Sequence, residues 1–225
     1  MSIYNSPIFT VDAKETRRYA GLQKADFSEA MIEDACSEAQ LLIQPKGNWE
    51  IYNYDSETQT ILGNTPIQLQ GKSIGKHLQG CEKVILLTAT VGEAIEEQVT
   101  KSVEEGHYTA AILLDAAATT AVEQVADNME KTIFNEVKRQ GYMMKWRFSP
   151  GYGDWPIEQQ PELIRLTGAE NIGLHLSSSM MLIPRKSITA IIGLYKENKS
   201  RPETATNQKK GCAACPKTDC PSRNV

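Results

Sequence analysis

A chain of 225 residues, 40% hydrophobic and 23% charged, can bury a core without disulfides or metals to hold it, and it is too short for an array of many modules. Twenty-four Lys and Arg against 28 Asp and Glu give a net charge of −4, so no overall positive field is available to attract nucleic acid. Nothing approaches the ~18 uninterrupted apolar residues that cross a bilayer, and the N-terminus lacks a signal-peptide core. A cytoplasmic protein is therefore expected, with neither nucleic acid nor membrane as partner.

Asp12 followed by Glu15 is a capping pattern for a helix over AKETRRYAGL, with Gly21 as its stop. Ala30, Ile32, Ala35, Cys36, Ala39 and Leu42 recur at helical spacing, which predicts a second helix from about Ser28 to Leu42 and places Cys36 in the core. NWEIYNYD and ETQTILGN read as short strands. A two-turn helix over 73–79 precedes VILLTAT (84–90), a buried strand, and then an amphipathic helix after Gly92. The longest helical pattern runs from Tyr108 to about Arg139, with Val122, Val125, Ala126, Met129, Ile133 and Val137 as its apolar stripe. Its alanine-rich first half implies a helix at the centre of the fold.

MMKWRF follows as an expected strand, with Met143, Lys145 and Arg147 on one face and Met144, Trp146 and Phe148 on the other. SPGYGDWP must be irregular, because its prolines and glycines disfavour both strand and helix. A short helix (157–167) leads to two strand-like runs, HLSSSMMLIP and KSITAIIGLYK, separated by Pro184 and Arg185. The fold class is α+β, one domain over 1–196 with helices around a mostly antiparallel sheet. From 197 to 225 large apolar residues are almost absent, and a flexible extension is expected.

RFSPGYGD (147–154) carries the most chemical information. A guanidinium at a strand end beside a Gly- and Pro-rich loop can clamp a carboxylate bidentately, although a turn with a surface arginine reads equally well. Glu123 and Asp127 lie four apart on the long helix. A solvated helix face accounts for Asp127 and Glu130; for Glu123, among apolar neighbours, a solvated face and a partnered carboxylate read about equally well. His77, His107 and His175 stand singly and read as structural or exposed. Cys212, Cys215 and Cys220 fall within nine residues, so three thiolates could close on one zinc ion or iron–sulfur cluster; a redox-sensitive tail is the alternative.

Arg147, Phe148, Ser149, Pro150, Gly151 and Tyr152 match the R-x-x-P-G-Y signature of the activation domain of cobalamin-dependent methionine synthase. TAVEQVADNMEKTI resembles that domain's central helix, and HLSSSMMLIPRKSITAIIGL its last strand region. LTATVG followed by LLDAAATTAVE is similar to its short, free-standing relatives. The resemblance covers 83–195, about half the chain. It implies binding of S-adenosylmethionine, with Arg147 on the methionine carboxylate, Tyr152 at the site, Ser149, Pro150 and Gly151 in the loop, and Glu123 favouring the ammonium and sulfonium. It also implies a partner, a cobalamin-binding methionine synthase lacking its own activation domain, and a flavodoxin-type electron donor. The protein would then be an accessory component that supports reductive methylation of cob(II)alamin, not a complete enzyme. Gly153, Asp154 and Trp155 depart from the larger enzymes, as does Thr119, which stands where they carry an aspartate. A non-enzymatic carboxylate-binding module is the competing reading. A methyltransferase of another substrate is a further one, but the Gly-rich turn it calls for is missing from the sequence.

Overall fold

The run VILLTAT is apolar at nearly every position, as a strand covered on both faces requires. In the computed structural model, which describes residues 2–196, it forms the centre of a sheet. Strand β5 (Lys83–Thr90) sends Ile85, Leu87 and Ala89 to one face and Val84 and Leu86 to the other. It pairs with β2 (Lys46–Asp55) and β9 (Ser187–Lys196). Outward from β2 lie β3 (Thr60–Leu62) and β4 (Ile67–Gln68), with β1 (Ser2–Tyr4) also on β2; beyond β9 lies β6 (Tyr142–Met144). Every pairing is antiparallel, so the sheet is unlike the parallel, doubly wound sheets that bind dinucleotides.

One face of the sheet is covered by α5 (Tyr108–Arg139), supported by α1 (Ala13–Tyr19), α2 (Glu29–Leu42) and α4 (Ala94–Glu104). All six residues of the expected α5 stripe are buried. The small side chains Ala116, Ala117 and Thr120 allow α1 and α4 to approach its first half, and Thr16 bonds Thr120 through their hydroxyls at 3.1 Å. Asp12 caps α1 by accepting from the Glu15 N–H at 3.0 Å, and Cys36 lies in this core. The opposite face carries α3 (Lys72–Leu78), α6 (Gln160–Thr167) and the 149–156 loop, packed through Leu69, Ile74, Leu78, Phe148, Trp155 and Leu163.

Two expected strands differ from their sequence reading. MMKWRF is regular only to Met144, which pairs with Leu194; the next bridge joins Phe148 to Ile191. Four steps along this strand thus answer three along β9, which leaves one extra residue, a bulge. The bulge breaks the alternation. Lys145 and Trp146 both reach the α3 side, while Arg147 turns to the α5 side, where Tyr142 and Met144 also pack. HLSSSMMLIP is a small hairpin, β7 (His175–Leu176) with β8 (Leu182–Ile183). Its polar centre closes a turn, with Ser177 accepting from the Met181 N–H and Met180 at φ 63°.

Candidate functional site

The bulge delivers Arg147 to α5, where residues 123, 127 and 130 share one helix face. Its Nη2 donates to Glu123 at 2.6 Å and its Nη1 to Asp127 at 2.6 Å; Nη1 also donates to Glu130. Burial opposes the charge on Arg147, but Glu130, Glu123 and Asp127 outweigh it and hold the guanidinium's pKa well above its ordinary range. The solvated-face reading of Glu130 is thereby corrected, while Asp127 remains 56% exposed and pairs with Arg147 from the solvated side. The Arg147 side chain is 23% exposed, and the pairs are only partly screened by water. Tyr19, at the end of α1, lies in the field of Glu123: burial first, then that carboxylate, pushes its phenol pKa up.

The 149–152 loop begins two residues after Arg147 and turns tightly. The Tyr152 N–H donates to the Ser149 carbonyl at 3.1 Å and the Gly151 N–H to the Trp155 carbonyl at 2.9 Å. Pro150 is buried; the Tyr152 ring is 57% exposed and meets Phe148 edge-on at 5.8 Å. The loop therefore presents an aromatic ring to solvent on a rigid base.

That base is built from α3 and Trp155. Asp154 accepts from the Lys72 and Ser73 N–H groups at 2.8 and 2.7 Å, capping the start of α3. At the other end of the helix, Lys145 Nζ donates to the carbonyls of His77 and Gln79 at 2.6 and 2.9 Å. The approach is too close for side chains: a Cβ on Gly71 would lie 2.7 Å from the Asp154 carbonyl oxygen, and one on Gly153 2.7 Å from Ser73 Oγ, both at positive φ. Trp155 is fully buried, and its Nε1 donates to Gln159 at 2.8 Å. Gln159 in turn accepts from the Gln70 N–H and donates to the Gln68 carbonyl. Phe148 stacks on Trp155 and on His77, whose ring centroids lie 6.1 and 5.1 Å away. Burial lowers the pKa of His77 to about 4, so the ring is neutral near pH 7, which fits the structural role expected of it.

The bonds to Ser73 and Lys72 hold Asp154 down at about 2. A carboxyl whose pKa is lower in the folded than in the unfolded chain contributes stability above its ordinary value of 3.8, and that contribution is lost as pH falls toward 2. Melting temperatures of wild type and Asp154→Asn should therefore differ most above pH 4 and converge toward pH 2. A gap that stays constant over that range would deny Asp154 this capping role.

Along the same face of α5, a cleft of about 370 Å³ is lined by Tyr19, Val99, Tyr108, Ile112, Asp115 and Thr119, among others. Lys186 reaches in from β9's end, pairing with Asp115 at 2.8 Å and donating to Thr119 at 2.9 Å. Sequence reasoning passed over Lys186, Asp154 and Lys145. Two carboxylates at 127 and 130 in register with Glu123 were the available signal for a cation. Cys212, Cys215 and Cys220 lie outside the described residues, as does the expected extension. Among the described residues no group of three or more His, Cys, Asp or Glu side chains is placed so that it could hold a metal ion, and no helix is long and apolar enough to cross a membrane.

No protein-family model matches the sequence, and no curated protein sequence matches it. Among solved structures, the MetH reactivation domain bound to AdoHcy has the same fold, with a TM-score of 0.59 and 12% identity over 89% of this chain and 81% of that one.

Proposed function

We propose that this protein binds S-adenosylmethionine at Arg147 and the 149–152 loop, and that it acts in trans as a reactivation subunit for a cobalamin-dependent methionine synthase lacking its own reactivation domain. The observation that carries the reading is the placement of Arg147. A bulge aims the arginine of the R-x-x-P-G-Y motif at the central-helix glutamate, in a fold shared with a domain solved with AdoHcy bound.

In this reading Arg147 holds the ligand carboxylate with charge-assisted hydrogen bonds. Glu123 favours the ammonium and sulfonium. Tyr152, exposed above the Phe148 base, offers an aromatic face to the ligand. The 149–153 turn fixes that face through its own backbone bonds. The reaction supported is methylation of cob(II)alamin on the partner, with one electron from a flavodoxin-type donor and the methyl group from S-adenosylmethionine, which leaves as S-adenosylhomocysteine. This chain's contribution is to bind and orient the methyl donor.

The in-trans role is tested by adding the protein to a methionine synthase truncated before its reactivation domain and oxidised to the cob(II)alamin state. With S-adenosylmethionine and reduced flavodoxin, the cobalamin spectrum should return to that of methylcobalamin. An unchanged spectrum, with the intact synthase reactivating under the same conditions, would refute the role. Thermal shifts with S-adenosylmethionine and S-adenosylhomocysteine but not with unrelated carboxylates would separate this reading from a general carboxylate-binding module.

A further inference from the structure

The Arg147 guanidinium, the group given above to the ligand's carboxylate, already holds three carboxylates of its own chain. Nη2 is taken by Glu123; Nη1 is shared by Asp127 and Glu130. These three are held differently. The Glu130 side chain is 24% exposed and that of Glu123 36%, whereas Asp127 is 56% exposed. Of the three, Asp127 would regain most of its hydration on release, and exposed ion pairs of this kind contribute little net stability. Glu123 and Glu130 would still aim the guanidinium after Asp127 had left.

We propose that Asp127 is an internal stand-in for the ligand carboxylate, displaced from Nη1 of Arg147 when the ligand binds. The proposal rests on the reading of Arg147 given above and adds to it a built-in competitor. Because one carboxylate replaces another, the charge on the guanidinium's neighbours is conserved, and no second cation has to be supplied. The device keeps Arg147 oriented in the free protein, so the ligand meets a preorganised donor at the expense of some affinity.

The exchange predicts an effect on ligands with a carboxylate and none on ligands without one. S-adenosylhomocysteine has an amino-acid end with no net charge, so loss of one acidic side chain changes the long-range field on that end little. By calorimetry it should bind Asp127→Asn about two- to fivefold more tightly than wild type. Asp127→Ala, which removes the acceptor entirely, should move affinity in the same direction. 5′-Methylthioadenosine, which has no carboxylate, should bind all three proteins alike. Matching melting curves would establish that the variants are folded.

If Arg147→Met weakens S-adenosylhomocysteine but neither Asp127 variant tightens it, the exchange is overturned and the Arg147 reading stands. Equal tightening of both probes would also overturn it, since the effect would then be one of general charge. If Arg147→Met leaves S-adenosylhomocysteine binding unchanged, the Arg147 reading fails, and the exchange with it.

Discussion

Trp155→Ala is expected to lower stability by about 3–5 kcal/mol, the range for removing a large aromatic from a packed core. Trp155 is 1% exposed and stacks on Phe148. Its indole N–H also occupies Gln159, the residue that ties the loop to the strand end before α3. The substitution would therefore open a cavity and leave the buried amide oxygen of Gln159 with only the Gln70 N–H as donor among these bonds. Denaturant unfolding measures the loss. Trp155→Phe should retain much of the stacking and fall well short of the alanine variant; equal losses would assign the whole effect to the lost hydrogen bond.

The second large effect is expected at Arg147. In Arg147→Met, Glu123, Asp127 and Glu130 would face one another without their cation. A fully buried pair broken in this way costs about 3–5 kcal/mol; these carboxylates are partly solvated, so about 1–3 kcal/mol is expected after allowing for screening. The sign of the coupling is the sharper test. Arg147→Met/Glu130→Gln should recover part of the loss, because it removes one of the repelling charges, and a double-mutant cycle reads that recovery directly. A fully additive cycle would mean that the cluster is not energetically coupled.

The helices were legible in the sequence because their signals are local. The α5 stripe, the Asp12 cap and the ends of α2 are all set by spacing and capping residues. The central strands were equally legible, since an apolar run such as VILLTAT has few other places to go. What the sequence hid depends on partners far along the chain. Strict alternation placed Arg147 on the same face as Lys145, and only pairing with β9 introduces the extra residue that separates them. The short strands β1 and β4 have two or three residues each and carry no periodicity to read. Asp154 was passed over as a loop residue because the helix it caps begins 82 positions earlier. Glu130 looked like part of a solvated face because its cation comes from another element. The motif residues were recognised through a family resemblance; the cradle that holds them was not.

The most direct test of the account is a calorimetric titration of the purified protein with S-adenosylmethionine, repeated with Arg147→Met after its melting curve has established that it is folded. Saturable binding at one site by the wild type, weakened at least tenfold in the variant, is the predicted result; such a loss corresponds to about 1.4 kcal/mol or more. Absence of binding by the wild type, or equal affinity in the two proteins, would contradict it.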